Sequence, residues 1–409
     1  MRLSLAPFSF LVLLLGAGGC RVPEPAAVAG RVHDRALVVD SHIDTPLRMV
    51  RQGWNPAERH RSGVRGGSQY DLPRMVEGGV DGAFFAVFTG QRERTPAGYD
   101  RVRRRADRLL EALHRMCREH PRLCGLALSP ADAERLHSQG RRAIFIGMEN
   151  GYPLGRDLSR VAHYYRRGVR YITLCHVKNN DLCDSSTDEN GEEHRGLSSL
   201  GRQVVAEMNR LGMIVDVSHI SDRSFFDVLQ LSRAPVIASH SSCRALCDHP
   251  RNLSDPMLLA LAAQGGVIQI CALGSYLKEL PPNTPFEEAW QKVQEKYGRW
   301  EEADEKRREI LRGEYYALKR KHPDPQATVK DLVDHVDHVK GLVGVDHVGI
   351  GTDMDGGGGL ADLPDAAAMP AVTAELVRRG YTEEEIFKIW GGNLMRVFRA
   401  VEKAAKGGE

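Results

Sequence analysis

Residues Gly212 to His240 form the sequence GMIVDVSHISDRSFFDVLQLSRAPVIASH, and this stretch decides the fold that we predict. Two apolar runs, beginning at Met213 and Pro235, each end in Ser-His, and the segment between them has the spacing of an amphipathic helix. This order predicts two parallel strands joined by a helix. In an α/β barrel the carboxyl ends of the strands open onto one face, so His219 and His240 are expected to meet there. A lone histidine would more often cap its strand, but a repeated one indicates a metal site.

Six further apolar segments follow the same pattern and bring the number of predicted strands to eight. They span residues 36–45, 80–88, 142–149, 171–176, 265–271 and 345–355. Eight strands alternating with helices are typical of a (β/α)8 TIM barrel, a fold of the α/β class. A charged segment with aromatic residues at helical spacing, 278–321, interrupts the pattern after the seventh strand. We expect one or two inserted helices there, acting as a lid or as an oligomer contact that would make the chain a homodimer.

The composition excludes some classes of function. The 409 residues include 56 Lys and Arg against 54 Asp and Glu, so no basic field is available to attract nucleic acid. No Gly-x-Gly-x-x-Gly stands between a predicted strand and a helix, which disfavours a dinucleotide-binding fold. The hydrophobic fraction of 42% is ordinary for a globular protein. We therefore predict a single enzyme domain over residues 33–409.

The amino terminus has the three parts of an export signal. Arg2 precedes an apolar run from Leu3 to Leu15, and small residues follow up to Cys20. Residues 1–20 are thus predicted to be a signal peptide, either of the lipoprotein type, with Cys20 lipidated, or of the plain type, cleaved nearby. Residues 21–32, rich in Pro and Ala, are predicted to be a tether. The protein would then lie in the cell envelope or periplasm, anchored to a membrane through lipid on Cys20.

Seven cysteines follow Cys20, an odd number, so at least one thiol has no intrachain partner. Cys117 and Cys124 bracket a short polar turn and are the pair that we nominate for a disulfide, which an oxidising compartment would permit. Cys243 and Cys247 lie four residues apart, a spacing that is also compatible with metal binding. No CxxC pair occurs, which disfavours a structural zinc ribbon.

Polar side chains stand at the ends of most of the predicted strands. These residues are His42, Asp44, Glu149, His176, His219, His240 and Asp353. His42 and Asp44 are two residues apart, so on an extended strand their side chains leave on the same face. A catalytic metal ion needs about three or four N or O ligands. One ion could be held by His42, Asp44 and Glu149. A second could be held by Glu149, His219 and His240, and a hydroxide would bridge the two ions.

Three other residues are candidates for roles in the reaction. Asp353 is suited to take the proton from the hydroxide and pass it to a leaving amine, and its alternative is a structural ligand. His176 could donate a hydrogen bond to a developing oxyanion, or it could be a histidine of the pocket wall. Arg251, in the loop after the sixth strand, could clamp a substrate carboxylate bidentately. Its alternative is an exposed arginine without a partner.

In chain order, the motifs resemble those of the membrane (renal-type) dipeptidases, peptidases of the M19 type within the amidohydrolase superfamily. The motifs are DSHIDTP, GMEN, ITLCH, GMIVDVSHIS, PVIASHS, HPRN, GIGTDMDG and the late Gly391-Gly-Asn393, between about residues 38 and 398. The resemblance implies a barrel with two zinc ions that hydrolyses dipeptides, often with a C-terminal D-residue. It implies metal ligands at His42, Asp44, Glu149, His219 and His240. It further implies substrate contacts from His176, Arg251 and Asp353, with Asp353 as acid and base.

Two features depart from that family. The insertion at 278–321 is long, and no clear aromatic residue follows the seventh strand, where Tyr276 is the nearest candidate for the pocket wall. One alternative function is hydrolysis of another amide, such as an N-acyl amino acid or a lactam, by the same kind of barrel. Another is a non-catalytic protein of the cell envelope. The complete ligand set argues against the latter.

Overall fold

The structure, a computed structural model, describes residues 25–62, 67–300 and 303–407. The strands are β1 Val39–Ile43, β2 Gly82–Phe88, β3 Cys124–Leu126, β4 Arg142–Glu149, β5 Val169–Thr173, β6 Ile214–Asp216, β7 Ile237–Ser241, β8 Val267–Ile270 and β9 Val348–Ile350. The α-helices of the described residues are α1 Pro25–Arg35, α2 Pro46–Met49, α3 Leu72–Glu77, α4 Pro96–Glu119, α5 Pro130–Ser138, α6 Ser159–Arg166, α7 Ser199–Leu211, α8 Asp222–Leu231, α9 Asp255–Ala263, α10 Gly274–Leu277, α11 Thr284–Tyr297, α12 Glu305–Lys321, α13 Val329–Val343, α14 Pro370–Arg378, α15 Glu383–Phe387 and α16 Asn393–Lys406.

Eight of these strands form a parallel barrel in the order β1-β2-β4-β5-β6-β7-β8-β9. The ring closes just beyond the last strand, where the Asp353 amide donates to the His42 carbonyl at 3.0 Å and the Asp44 amide donates to the Met354 carbonyl at 2.8 Å. These two bonds place the segment after β9 beside β1. The predicted (β/α)8 barrel is therefore confirmed, and its last closure lies directly at the polar strand ends.

The ninth strand, β3, was not predicted from the sequence. It has three residues and pairs in parallel only with the start of β4, from Cys124 opposite Arg142 to Leu126 opposite Ile144. Because it is so short, neither an apolar run nor an alternating pattern reveals it. It lies outside the ring and does not alter the order of the barrel strands.

Aromatic side chains fill the lower part of the barrel interior. The ring centroids of Phe84 and Phe145 are 4.6 Å apart, and those of Phe84 and Tyr171 are 5.0 Å apart. Phe398, from α16, packs against both phenylalanines. All four side chains are fully buried. Tyr171 belongs both to this apolar layer and to the polar layer above it, because its hydroxyl points toward the strand ends.

The segment that the sequence suggested as a tether is largely helical. Helix α1 begins at Pro25 and packs on α14, and Ala29 and Val32 on it are buried. Its His33 ring bonds to the Thr373 hydroxyl at 2.7 Å and to the Gly78 carbonyl at 2.9 Å. Proline in the first turn and the following alanines favour a helix, which explains the difference from the predicted tether over 21–32.

The predicted signal peptide, including Cys20, lies outside the described residues. Among the helices that the structure does describe, none combines the length and the apolar character needed to cross a bilayer. All seven cysteines after Cys20 are free thiols. The nominated pair, Cys117 and Cys124, is thus not joined by a disulfide in this structure, and Cys124 Sγ instead lies 3.7 Å from the His120 carbonyl.

Helices α11 and α12 form the predicted insertion after the seventh barrel strand. They pack on each other through aromatic side chains, since the Tyr315 ring meets the rings of Phe286 and Trp290 edge-on, with centroids 5.4 Å apart in both cases. Tyr316, the next residue, stays exposed. The two inserted helices are thus held together by a cluster of three aromatic rings, and Tyr316 lies outside that cluster in contact with solvent.

Candidate metal centre

The barrel brings all seven polar strand-end residues to one rim. His42 and His240 lie within β1 and β7, Glu149 is the last residue of β4, and the other four lie just past the ends of their strands, namely Asp44, His176, His219 and Asp353. The His176 side chain is 24% exposed, and the other six side chains are at most 13% exposed. The structure therefore brings these residues together, with Asp44, His176, His219 and Asp353 on the loops that follow their strands.

Glu149 stands at the centre of the group. Its Oε1 atom lies 3.2 Å from Nε2 of His219 and 3.4 Å from Nε2 of His176. Nε2 of His240 is 3.6 Å from the same oxygen. The other oxygen, Oε2, lies 3.4 Å from Nε2 of His42 and has no hydrogen-bond partner. One oxygen thus faces three imidazoles and the other faces His42, so the carboxylate could be shared by two cations.

Two further carboxylates, those of Asp44 and Asp353, lie near His42. Nε2 of His42 is 3.8 Å from Asp44 Oδ2 and 3.9 Å from Asp353 Oδ1. Three groups of possible ligand atoms therefore overlap, each within 4.8 Å: His42, Glu149 and His240; Glu149, His176 and His219; and His42, Asp44 and Asp353. The geometry admits His176 and Asp353 as ligands, in addition to the five residues that the sequence motifs indicate.

Several buried atoms here lack the partners that buried polar atoms normally have. Nε2 of His42, Oε2 of Glu149, Oδ1 of Asp44 and Nδ1 of His219 are without a hydrogen-bond partner. Nε2 of His219 also lies 2.9 Å from Nε2 of His240. Unpaired donors and acceptors of this kind are costly to bury unless something binds them. Imidazole nitrogens and carboxylate oxygens are the ligands of zinc-like ions, so the residues present fit divalent cations.

Hydrogen bonds behind two of the histidines orient their rings. The Tyr171 hydroxyl donates to the Ser41 carbonyl at 3.4 Å, so it can accept from Nδ1 of His42 at 2.8 Å. The Ser239 hydroxyl donates to Asp216 at 2.6 Å, so it can accept from Nδ1 of His240 at 2.8 Å. Each ring is thereby held with Nε2 on the side of Glu149, where a neutral ring with its proton on Nδ1 can bind a metal ion. Such outer contacts commonly orient metal-binding histidines.

Two buried aspartates accept hydrogen bonds from residues next to these histidines. Neither was predicted from the sequence as part of the site. Asp216 accepts hydrogen bonds from the Thr173 hydroxyl, the Ser218 amide and the Ser239 amide and hydroxyl. Asp40 accepts from the Thr352 amide and hydroxyl and from the His42 amide. Burial raises the pKa of Asp40 to about 6. A sign of both was present in the sequence, because each acid directly follows an apolar run and stands two or three residues before a histidine.

Electrostatics suit the central residues to metal binding. Burial, followed by the positive charge of Arg251, lowers the pKa of His219 well below its usual value, and burial followed by His42 does the same for His240. Both are therefore neutral imidazoles, the form that binds a metal. Burial opposes ionisation of Glu149, but His42 and His176 hold its pKa well below the ordinary range. The central carboxylate is thus ionised.

Asp353 differs from Glu149 in its electrostatic setting. Burial, followed by the negative charge of Asp44, raises the pKa of Asp353 well above that of an ordinary carboxyl group. Asp353 also has a φ of 58°, in the left-handed region that a non-glycine residue rarely adopts. Its conformation is supported by a turn in which the amides of Gly356, Gly357 and Gly358 all donate to the Asp353 carbonyl. A carboxyl group whose pKa is raised holds a proton more readily and can act as an acid.

Arg251 is not the exposed arginine of the alternative interpretation. It is 4% exposed, and one guanidinium nitrogen donates to the His240 carbonyl at 3.0 Å. Its Nε atom is buried and has no hydrogen-bond partner. Among the described residues no carboxylate forms an ion pair with it. The Tyr276 ring lies 5.4 Å from the guanidinium carbon, so the residue named from sequence as a wall candidate does border this position.

Comparisons with known proteins agree with this geometry. The family profile described as Membrane dipeptidase (Peptidase family M19) matches residues 26–409. Dipeptidase tcpJ of Claviceps purpurea is 34% identical over 340 residues, which cover 82% of this chain and 70% of that protein. Dipeptidase ataJ of Aspergillus terreus is 31% identical over 394 residues, covering 91% and 86%.

A solved structure shows the same similarity. The crystal structure of the probable dipeptidase PvdM from Pseudomonas aeruginosa superposes with a TM-score of 0.79 and 35% identity, covering 93% of this chain and 99% of that one. The family match spans the whole barrel, and every candidate site residue lies within it. The chain therefore belongs to the membrane dipeptidase family, peptidase family M19, and is a dipeptidase of that metallopeptidase family.

Proposed function

We propose that the protein is a zinc-dependent dipeptidase that binds two ions at the barrel rim and accepts dipeptides with either an L- or a D-residue at the C-terminal position. The observation that carries this proposal is the placement of Glu149, whose two oxygens face separate histidine groups at 3.2 to 3.6 Å. One ion would be held by His42, Asp44 and Glu149. The other would be held by Glu149, His219 and His240.

The bound ions would supply a water of lowered pKa and would polarise the scissile carbonyl group. The residues of the chain do the rest. The neutral rings of His219 and His240 and the ionised Glu149 fix the positions of the ions without a proton having to leave at the moment of binding. The burial of the rim keeps bulk water from the site and strengthens every charge interaction within it.

Arg251 would bind the free carboxylate of the substrate. Its guanidinium is buried, has a nitrogen without a partner and is not neutralised by any described carboxylate. An arginine in this state gains most from a planar anion that accepts two hydrogen bonds. This contact would select substrates whose C-terminal carboxylate lies next to the scissile bond, as it does in a dipeptide.

Asp353 and His176 would handle the proton and the developing charge. The raised pKa of Asp353 suits it to hold a proton and deliver it to the leaving amine. His176 lies 3.4 Å from Glu149 and is the most exposed of the rim residues, so it can reach the substrate. Burial lowers the pKa of His176, so its neutral ring donates a single N–H, which would point at the carbonyl oxygen as negative charge develops there.

A panel of dipeptides with L- and D-residues at the C-terminal position tests the proposal directly. We expect hydrolysis by the zinc-loaded protein, loss of activity after treatment with a chelator, and recovery on adding zinc. An N-acyl amino acid and a small lactam serve as comparison substrates. Faster turnover of either of these than of every dipeptide would contradict the proposed substrate class.

A further inference from the structure

Asp216 is the last residue of β6, and its side chain is fully buried. It accepts two hydrogen bonds on each carboxylate oxygen. Oδ1 accepts from the Ser218 amide at 3.1 Å and from the Ser239 amide at 2.9 Å. Oδ2 accepts from the Thr173 hydroxyl at 2.5 Å and from the Ser239 hydroxyl at 2.6 Å. Because Thr173 ends β5 and Ser239 lies in β7, one carboxylate joins three neighbouring strands where they carry the histidines of the rim.

The two serines that donate to Asp216 stand directly before two candidate metal ligands. Ser218 precedes His219, and Ser239 precedes His240. The Ser218 hydroxyl also accepts a hydrogen bond from the His240 amide at 3.0 Å. Asp216 therefore lies behind the part of the rim where the second of the two proposed ions would bind.

The first proposed ion has a different acid behind it. Asp40 accepts hydrogen bonds from the His42 amide at 3.1 Å and from the Thr352 amide and hydroxyl at 2.9 and 2.5 Å. Within the described part of the chain, no hydrogen bond joins Asp216 to His42 or Asp44. Each proposed ion thus has its own buried aspartate.

The Ser239 hydroxyl is the link between Asp216 and the ring of His240. Its oxygen lies 2.6 Å from Asp216 Oδ2 and 2.8 Å from Nδ1 of His240. A hydroxyl group has one proton, so it can donate to only one of these two partners. The distance of 2.6 Å is that of a hydroxyl donating to a carboxylate. The hydroxyl then accepts from Nδ1 of His240, which leaves Nε2 of the ring available to a metal ion.

We propose that Asp216 is a positioning residue for the second zinc ion, because its contact with Ser239 selects the tautomer of His240 that carries the proton on Nδ1. The inference rests on the proposed binding of two ions and adds that only one of them depends on Asp216. Asp216 acts on the reaction through the ring of His240 and not by a contact of its own with the substrate.

Asp216→Asn tests the selection of the tautomer. The Ser218 and Ser239 amides can only donate, so the carbonyl oxygen of the introduced amide faces them and its NH2 group faces the Ser239 hydroxyl. The hydroxyl proton then turns to Nδ1 of His240, and the ring proton moves to Nε2, the atom that zinc needs. Nitrogen chemical shifts of the metal-free protein, assigned by the loss of one ring in His240→Gln, should show the proton on Nδ1 in the wild type and on Nε2 in Asp216→Asn.

The same change should weaken zinc binding at one position only. Asp216→Asn and Ser239→Ala should each lower the affinity for the second ion by about 10- to 100-fold, the usual effect of losing an outer contact of this kind. Ser239→Ala keeps the aspartate and removes only the link, so it supplies the test if Asp216→Asn does not fold. Anomalous diffraction from crystals grown with limiting zinc should show a filled position beside His42 and a depleted one beside His219 and His240.

Thr173→Val is the matched control, because it removes the other hydroxyl from the same oxygen of Asp216 and leaves Ser239 and His240 in place. Its tautomer and zinc occupancies should equal those of the wild type. Changes in Thr173→Val as large as those in Asp216→Asn would show that Asp216 only ties the strands together. Unchanged nitrogen shifts in Asp216→Asn, or equal depletion of both zinc positions, would overturn the inference while leaving the two-ion proposal standing. A wild type that binds fewer than two zinc ions would overturn both.

Discussion

The hydroxyl of Tyr171 lies 2.8 Å from Nδ1 of His42, and this contact turns the opposite nitrogen of the ring toward Glu149. Tyr171 is fully buried, and its ring packs on Phe84 in the apolar layer below. A single side chain therefore joins the packed interior of the barrel to a ligand of the candidate metal centre. Its orientation is set by packing, so the histidine is positioned before any metal binds.

Tyr171→Phe should weaken zinc binding by about 10- to 100-fold, because it removes the hydrogen bond that orients His42 and selects its tautomer. The ring and its packing remain, so the thermal midpoint of the metal-free protein should change little. Tyr70→Phe is a control at a second buried tyrosine, since the Tyr70 hydroxyl has no hydrogen-bond partner. Equal zinc affinities of the two variants, measured by competition with a chelator, would contradict the role of Tyr171.

Asp353→Asn should lower kcat for dipeptides by about 10²- to 10⁴-fold, the usual range for loss of a general acid or base. The amide keeps the size of the side chain but cannot deliver the proton. If Asp353 acts as proposed, the zinc content of the variant should equal that of the wild type. Loss of one zinc ion per chain would instead identify Asp353 as a ligand, which its distance of 3.9 Å from His42 also allows.

Arg251→Ala should raise KM for dipeptides much more than for the same dipeptides with an amidated C-terminus. The amide lacks the negative charge that the guanidinium is proposed to bind, so only the free dipeptide loses a charged hydrogen bond, at a cost of about 1.5 to 3 kcal/mol. Comparing the two substrates in one variant also removes the effect of the lost contact with the His240 carbonyl. An equal penalty for both substrates would contradict the clamp.

His335 should make the stability of the fold depend on pH. Its Nδ1 accepts from the Cys243 amide at 2.9 Å and its Nε2 donates to the Leu277 carbonyl at 2.8 Å, and burial lowers its pKa in the folded state. In the unfolded chain His335 binds a proton near pH 6.5, whereas in the folded chain it does so only at a lower pH. The stability from this group is thus present above pH 6.5 and is lost as the pH falls below it, by at most about 1.4 kcal/mol per pH unit.

The variant His335→Gln isolates that contribution. It should be less stable than the wild type at pH 7.5, and the difference should shrink as the pH falls toward 5. Urea unfolding at a series of pH values measures both quantities. A difference that stays constant over this range would show that His335 does not carry the pH dependence.

The barrel and its rim could be predicted because both leave a pattern in the sequence. Apolar runs mark strands that are covered on both faces, and a histidine or carboxylate at the end of such a run interrupts it visibly, as Glu149 and His240 do. The sequence could not show that Tyr171 and Asp216 support the ligands, because that support depends on contacts between different strands. Their positions inside apolar runs were the available sign.

Other features depend on packing that a local pattern does not record. Strand β3 is too short to produce a periodicity, and helix α1 was hidden in a segment whose Pro and Ala content also suits a linker. A cavity beside Asp353 arises only when Arg48, the glycine turn after β9 and the inserted helix come together. Arg48, considered alone in the sequence, looks like an ordinary surface charge.

Titration of the metal-free protein with zinc, followed by hydrolysis of one dipeptide, is the most direct test of the central claim. The arrangement around Glu149 predicts no activity without metal and a rise that saturates at about two zinc ions per chain. Glu149→Gln should remove the activity at every zinc concentration while the protein stays folded. Full hydrolysis by the metal-free chain, or unchanged zinc binding and activity in Glu149→Gln, would contradict the account.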